Sequence, residues 1–197
     1  LLLLDEPFSA LDSDTRHTVR SELADLLAAL DVPTLMVTHD FDDAVGVAQR
    51  IGVITAGRLR QIGTPSDLVA APADAFVARF AGLNMVAGVA EQAASGLTVV
   101  TLDDGQRVWS TDRAVGEVAA SIAPWEISVG RESGGDSALN CIEGVVRSLV
   151  RFDNRARVQI GSLVAEITGA AVEGLSLAVG DRAVATFKAT ATRLVAR

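Results

Sequence analysis

Four consecutive leucines run directly into two acids and a proline at the start of the chain, in the stretch "LLLLDEP" at residues 1–7. A short apolar run without polar alternation is typical of a strand buried on both faces, as in a parallel sheet covered by helices. We expect this strand to end at Asp5 and Glu6. The stretch therefore predicts an α/β arrangement whose first strand carries two carboxylates at its end.

The helix expected after this strand covers residues 13–30. Its apolar side chains recur at helical spacing and form one stripe, which is typical of a helix packed on a sheet. The stripe consists of Val19, Leu23, Leu26, Leu27 and Leu30. Asp12 or Ser13 is suited to cap this helix, because a short polar side chain accepts a hydrogen bond from a backbone N–H of the first turn.

The alternation of strands and helices continues to residue 82. The further segments are a strand in 33–40, a short helix in 41–50, a hairpin in 51–63 with its turn at Ala56 and Gly57, and two short helices that begin near Pro65 and Pro72. Proline is favoured in the first turn of a helix because the N–H that it lacks is not needed there. We therefore expect residues 1–82 to form the α/β part of the chain.

Beyond Leu83 the pattern changes to short β-like runs separated by Gly and Asp residues. Many short strands at this spacing indicate a small β-barrel or a pair of barrels. The linker-like stretch "SGGDS" at 133–137 divides this region into two OB-like lobes, 83–132 and 137–197. Trp109 and Trp125 are expected in the barrel core.

Charge and composition limit the partners. Seventeen basic and 25 acidic residues give a net charge of -8, which opposes binding to a phosphate backbone, so we expect no nucleic-acid partner. The single cysteine excludes an internal disulfide. No apolar stretch reaches the roughly 20 residues that a membrane-spanning helix needs.

Two motifs resemble those of one enzyme family. The stretch "LLLLDEPFSALD" at residues 1–12 resembles the Walker B strand and D-loop of ATP-binding-cassette (ABC) ATPases, and "VTHD" at residues 37–40 resembles the switch-histidine motif of the same family. The resemblance implies that residues 1–82 are the C-terminal portion of a P-loop nucleotide-binding domain. It also implies ATP and Mg²⁺ as cofactors.

The same resemblance implies roles for individual residues. Asp5 is expected to hold Mg²⁺ through water, since this ion keeps most of its hydration shell. Glu6 is expected to act as general base on the attacking water, and His39 to contact the γ-phosphate. Ser9 and Asp12 match the D-loop, which implies a homodimer of ATPase subunits. Membrane permease subunits, and indirectly a solute-binding protein, are the further partners implied, at the cytoplasmic face of the cell membrane.

Three motifs of this family do not occur in the sequence: the G-x-x-x-x-G-K-[ST] phosphate loop, the glutamine loop and the LSGGQ-like signature. Without the phosphate loop, the residues present cannot cradle the α- and β-phosphates. We therefore expect the 197 residues to be a C-terminal fragment that alone neither binds ATP tightly nor hydrolyses it.

The last lobe resembles a molybdate-type TOBE domain. The stretches that carry this resemblance are "SALNCIEGVV" at 137–146, "VAEIT" at 164–168 and "LAVGDRAVATFKATATRLVA" at 177–196. It implies oxyanion binding by Ser137, Lys188 and Thr190, because hydroxyl groups and a lysine suit a doubly charged anion. Leu139 stands where the pattern has arginine, so one charged donor is missing.

Several functions remain open at this point. The first is the ATPase subunit of an ABC importer that leans to molybdate or a similar oxyanion. Another is an importer ATPase for sulfate, iron, a polyamine or a sugar, since related subunits carry tails of this kind. A third is an oxyanion-binding regulatory module without ATPase activity. A non-transport ABC ATPase that acts on DNA or ribosomes is disfavoured by the barrel tail and the acidic charge.

Overall fold

The computed structural model describes residues 1–30, 32–132, 137–152 and 154–196. The chain divides into two compact units, Leu1–Val69 and Ala70–Arg197. Residues 133–136 of the predicted linker "SGGDS" lie outside the described residues.

The first unit begins with two parallel strands joined by a helix. Strand β1 (Leu2–Asp5) pairs with β2 (Thr34–Val37), and helix α1 (Ser13–Leu30) connects them, as the sequence predicts. The expected burial on both faces was wrong, since Leu3 and Leu35 are 65% and 60% exposed. Leucines 2 and 4 of β1 point to the other face and are half-buried.

The cap of α1 is Asp12, one of the two candidates. Its carboxylate accepts hydrogen bonds from the Thr15 backbone N–H at 3.0 Å and from the Thr15 hydroxyl at 2.8 Å. The remaining elements of the unit are α2 (Phe41–Val47), β3 (Ile51–Thr55), β4 (Arg58–Gly63) and α3 (Pro65–Ala70). Ala56 and Gly57 both have positive φ, of 49° and 71°, as the tight turn of a β-hairpin requires.

The second unit begins with helix α4 (Ala75–Phe80). Asp74 caps this helix by accepting from the Phe76 and Val77 N–H groups, so Pro72 lies before the helix and not in its first turn. The boundary between the two compact units follows Val69 and so lies before α4, whereas the sequence places the boundary near Leu83. The Leu83 N–H donates to the Ala78 carbonyl at 3.0 Å, which joins the end of α4 to the strand that follows.

Ten strands form the rest of this unit in two five-stranded sheets. They are β5 (Asn84–Gln92), β6 (Thr98–Leu102), β7 (Arg107–Ser110), β8 (Gly116–Ile122), β9 (Ser128–Gly130), β10 (Asn140–Phe152), β11 (Arg155–Ile160), β12 (Leu163–Thr168), β13 (Arg182–Phe187) and β14 (Thr192–Ala196), with helix α5 (Gly169–Gly174) after β12. The strand orders are β14-β8-β5-β6-β7 and β12-β11-β10-β13-β9. One hydrophobic core is shared by both sheets.

The two sheets are related as two copies of one five-stranded repeat that have exchanged their last strands. Strands β5 to β9 and β10 to β14 have the same order of pairing, but β9 pairs with β13 of the second repeat and β14 pairs with β8 of the first. The sequences of the first strands agree as well: "LNMVAGV" at 83–89 and "LNCIEGV" at 139–145. The two predicted lobes are therefore interlocked through β9 and β14.

The structure is largely β, and its OB-like sheets agree with the predicted barrel region. The first unit contains one β–α–β connection among the described residues, and its assignment to a P-loop domain stays a prediction. Trp125 was wrongly placed in the core: it is 53% exposed on a 3-10 turn, Pro124–Glu126. Trp109, in β7, is half-buried.

Candidate functional site

The ends of β1 and β2 bring two of the predicted residues together. Asp5 is opposite Val37 in the parallel register, and the Glu6 N–H donates to the Val37 carbonyl at 2.9 Å. His39 follows β2 by two residues. Its Nδ1 lies 2.8 Å from the Glu6 Oε1 atom. Because an ionised carboxylate only accepts hydrogen bonds, the His39 Nδ1 carries the proton of this contact.

The pair is electrostatically coupled. The hydrogen bond to Glu6, together with the Glu6 charge, raises the pKa of His39 above its ordinary value of 6.5. The His39 side chain is 81% exposed, whereas that of Glu6 is 34% exposed. With Nδ1 engaged by Glu6, the Nε2 atom is the ring nitrogen available for a ligand. The arrangement can hold one proton between a carboxylate and an imidazole at an open edge of the sheet.

The turn after Glu6 fixes its backbone. Glu6 has a φ of 46°, which is uncommon for a residue with a side chain. The Ser9 hydroxyl donates to the Glu6 carbonyl at 2.9 Å, and the Ser9 N–H donates to the same oxygen at 3.2 Å. Ser9 thus stabilises the backbone conformation that points Glu6 at His39, while Asp12 caps α1. Their predicted contacts across a dimer remain a prediction.

Asp5 is exposed at the end of β1. Within the described ranges, no three His, Cys, Asp or Glu residues are grouped in a way that could hold a metal ion. Beside phosphate, Mg²⁺ takes one or two carboxylates and keeps several waters. A single exposed carboxylate next to Glu6 therefore fits the role predicted for Asp5.

Two ion pairs behind His39 were missed by the sequence analysis. Arg16 contacts Asp40 at 3.4 Å, and Arg20 contacts Asp43 at 3.4 Å. Each pair joins α1 to the start of α2. The signal that could have revealed them is spacing: the two arginines lie one turn apart on α1, and the two aspartates one turn apart on α2.

Asp43 is the most enclosed member of this cluster, with 4% of its surface exposed. Burial, followed by the charge of Asp40, raises the pKa of the Asp43 carboxyl.

His17, expected to face solvent, is exposed and its Nδ1 lies 3.2 Å from Arg20 Nη2. An open pocket of about 310 Å³ is lined by Arg16, His17, Arg20, Asp40, Asp42 and Asp43.

The predicted oxyanion-binding residues are all exposed. Lys188 and Thr190 flank the start of a 3-10 turn, Ala189–Ala191, between β13 and β14. Ser137 lies three residues before the start of β10. Within the part of the chain that the structure describes, no hydrogen bond joins these three side chains, and Leu139, two residues after Ser137, is 57% exposed. Their common site stays a prediction.

None of the helices in the described ranges combines the length and the apolar character that crossing a bilayer requires.

Comparison with protein families and curated proteins gives consistent matches. Residues 136–194 match the TOBE domain family. The sulfate/thiosulfate import ATP-binding protein CysA of Rhodopseudomonas palustris is 35% identical over an aligned length of 188 residues, and the match covers 92% of this chain and 51% of that protein. The Fe(3+) ions import ATP-binding protein FbpC 2 of Rhodococcus jostii is 49% identical over 82 residues, 42% of this chain and 24% of that protein.

Among solved structures, the cytoplasmic molybdate-binding protein ModG with molybdate bound has a similar fold. The match covers 58% of this chain and 96% of that chain, with a TM-score of 0.50 and 23% sequence identity. The chain spans about half the length of the curated relatives that it matches along most of its own length.

Proposed function

We propose that this chain is the C-terminal region of an ABC importer ATP-binding subunit with a TOBE domain, and that the subunit hydrolyses ATP to energise import of a small solute. The observation that carries this proposal is the contact of 2.8 Å between Glu6 and His39 at the ends of two parallel strands. A carboxylate and an imidazole in that place suit hydrolysis of a phosphate at the carboxyl edge of the sheet.

In this proposal the residues have separate tasks. MgATP, when bound, supplies the phosphoryl group that is transferred to water. Glu6 accepts the proton of the attacking water, because its side chain lies at the strand end and is held by Ser9. His39 donates from its ring to the charged phosphate oxygens. Asp5 would hold the hydrated Mg²⁺. The P-loop domain to which these residues belong would be completed by segments that contain the phosphate loop and the signature motif.

The partners follow from the same proposal. A homodimer of such subunits, brought together partly through Ser9 and Asp12, would act on membrane permease subunits at the cytoplasmic face of the membrane. A solute-binding protein would act indirectly through the permease. The relatives from Rhodopseudomonas and Rhodococcus support this proposal by their names as import ATP-binding proteins.

The proposal is tested by a Glu6→Gln substitution in a complete subunit that includes this chain. The amide cannot accept the proton of the attacking water, so we expect MgATP binding to remain while hydrolysis is lost. Glu22→Gln, on the exposed side of α1, is the matched control and should hydrolyse ATP like the parent. Turnover that persists in Glu6→Gln would overturn the role of Glu6. Magnesium-dependent turnover by the 197 residues alone would overturn the expectation that they are inactive by themselves.

The solute proposed is a tetrahedral oxyanion. Three observations support this class: the TOBE match over residues 136–194, the sulfate/thiosulfate import relative and the fold shared with a molybdate-binding protein. Isothermal titration of this chain with molybdate, tungstate and sulfate tests it. Binding that is lost in Lys188→Ala and kept in Arg58→Ala, a loss of the same charge in the other unit, would support an oxyanion site at Lys188.

The TOBE match also favours a second candidate, an oxyanion-binding regulatory module without ATPase activity. This candidate is favoured if oxyanion binds while the complete subunit hydrolyses no ATP. If none of the three oxyanions produces a heat of binding in the titration, the barrel has a structural role only. The importer would then take another solute, such as iron, a polyamine or a sugar.

A further inference from the structure

The His39 ring has little around it to hold it in place. Its side chain is 81% exposed, and Glu6 is its one side-chain hydrogen-bond partner among the described residues. A short hydrogen bond to a side chain that is itself one-third exposed does not fix a ring by packing. The position of His39 must therefore come from its backbone, and so from the residues on either side of it.

Asp40, the residue after His39, is held at three points. Its Oδ1 atom accepts from the Asp43 N–H at 3.1 Å, which caps α2. Its Oδ2 atom contacts Arg16 Nη1 at 3.4 Å. Its own N–H donates to the Thr38 hydroxyl at 3.1 Å. The two residues that flank His39 are thus tied to each other, and Asp40 is tied to both helices.

Arg16 is itself fixed to the turn that follows Glu6. Its backbone N–H donates to the Asp12 carbonyl at 2.8 Å, in the first turn of α1. The path therefore runs from Asp12 through Arg16 to Asp40, which is adjacent to His39. Both ends of the His39–Glu6 hydrogen bond are anchored to the same end of α1.

The second ion pair keeps the two helices close. Arg20 contacts Asp43 one turn further along α1 and α2. A Cβ atom at Gly46 would lie 2.5 Å from Arg20 Cδ, so α2 approaches the aliphatic part of Arg20 as closely as glycine allows. This contact leaves little freedom for α2, and with it Asp40, to move relative to α1.

Stability alone does not account for the placement of Arg16. Its Nε atom is buried and has no hydrogen-bond partner among the described residues, and a buried donor left without a partner destabilises the folded state. Buried polar groups without partners call for an explanation in a native structure, and a role in a functional site is one such explanation.

We propose that Arg16 and Asp40 are positioning residues for His39, whose ion pair fixes the backbone at residues 38–40 against α1 and so holds the imidazole at hydrogen-bond distance from Glu6. The inference rests on the proposed function, because it is the contact of His39 with phosphate that requires the ring to be held in one position. The contacts that support it are made within the protein and do not involve a bound nucleotide.

The titration of His39 offers a test in which two effects have opposite signs. The groups that act on His39 are Glu6, whose hydrogen bond and charge raise its pKa, Asp40, whose charge also raises it, and Arg16, whose charge lowers it. Removing the Arg16 charge by itself would therefore raise the pKa of His39. Loss of the Glu6 contact would lower it.

The experiment is an NMR titration of the His39 ring in this chain and in Arg16→Gln. The sequence contains two histidines, His17 and His39, so the His39 signal is assigned before the titration. We expect the pKa of His39 to fall in Arg16→Gln and to be restored in Arg16→Lys, which can still pair with Asp40. Arg50→Gln, which removes a positive charge elsewhere in the same unit, is the control and should leave the pKa of His39 in place. A pKa that rises or stays unchanged in Arg16→Gln would overturn the proposal.

A second variant covers the case in which Arg16→Gln does not fold. Asp40→Asn keeps the cap of α2, because asparagine is also a favoured N-cap residue, but it loses the ion pair. We expect the Nδ1–H of His39 to exchange with water faster in Asp40→Asn than in the parent, and an unchanged exchange rate would overturn the proposal. Neither readout needs ATP, so a failure here is distinct from persistent turnover in Glu6→Gln, which would overturn the proposed function instead.

Discussion

Asn84 and Asn140 occupy equivalent positions in the two repeats of the barrel, and each binds one residue of the opposite sheet through both atoms of its amide. Asn84 accepts from the Val164 N–H at 2.7 Å and donates to the Val164 carbonyl at 2.8 Å. Asn140 accepts from the Trp109 N–H at 2.6 Å and donates to the Trp109 carbonyl at 3.0 Å. Val164 and Trp109 lie in β12 and β7, which are the edge strands of their sheets. Each asparagine amide therefore makes the two backbone hydrogen bonds that a neighbouring strand would otherwise make at that edge.

We predict that Asn84→Ala and Asn140→Ala each destabilise the second unit. Both asparagines are buried, so alanine would leave the paired N–H and C=O of an edge strand without partners, at about 1–3 kcal/mol for each group left unsatisfied. Urea denaturation measures the loss in the free energy of unfolding. Asn154→Ala, at an exposed position, is the control and should change it by about 0.5 kcal/mol or less. Stability equal to that of the parent in both buried variants would contradict this role.

The glycines at equivalent positions in β5 and β10 allow close approach of the strands. A Cβ atom on Gly88 would lie 2.5 Å from the Thr101 carbonyl oxygen, and one on Gly144 would lie 2.9 Å from the Gly161 nitrogen. Because both obstacles are backbone atoms, we expect Gly88→Ala and Gly144→Ala to cost about 1–3 kcal/mol each, with the larger loss at Gly88.

Gly174 provides the control for this prediction, since a Cβ atom there would meet nothing within 4 Å. Gly174→Ala should be neutral or slightly stabilising, because alanine reduces the entropy of the unfolded chain. Thermal or urea denaturation distinguishes the three variants. Equal stability of Gly88→Ala and Gly174→Ala would show that the strands can move apart without cost.

Asp181 is expected to make the stability of the second unit dependent on acid. The hydrogen bond from the Ala178 N–H, followed by that from Arg131, lowers the pKa of its carboxyl below the ordinary value of 3.8. A carboxyl whose pKa is lowered in the folded state stabilises the protein above its unfolded pKa, and this contribution is lost as the pH falls through the folded pKa.

The difference in stability between the parent and Asp181→Asn should therefore be present at neutral pH and shrink below about pH 3.8. Urea denaturation at several pH values measures this difference. Asp103→Asn, on an exposed turn, controls for the change in charge alone. A difference that is constant from neutral to acidic pH would contradict the prediction.

The contact between Glu6 and His39 was within reach of the sequence. An apolar run ending in acids and a second strand ending near a histidine indicate parallel neighbours, and the carboxyl ends of parallel strands meet at one edge of a sheet. The ion pairs of Arg16 and Arg20 were harder to predict, because the one-turn spacing of the arginines does not by itself say that they face a second helix.

The strand exchange could not be predicted from the pattern of β-like runs, because such runs do not specify their partners. Two central strands have sequences that are not typical of strands. β5 and β8 contain Gly and several Ala residues, which have weak strand propensity, and they form strands here because their neighbours pair with them on both sides. The repeated "LN-x-[VI]-x-GV" pattern at 83 and 139 was the available signal that β5 and β10 begin two copies of one repeat.

The proposed hydrolysis depends most on the hydrogen bond between Glu6 and His39, which an NMR titration of His39 in the parent chain and in Glu6→Gln tests directly. In the parent, the pKa of His39 should lie above 6.5, so that the bond contributes stability below the unfolded pKa and loses it as the pH rises through the folded one. In Glu6→Gln the pKa of His39 should fall toward 6.5. A His39 that titrates identically with and without the Glu6 carboxylate would contradict the pairing on which the proposed hydrolysis rests.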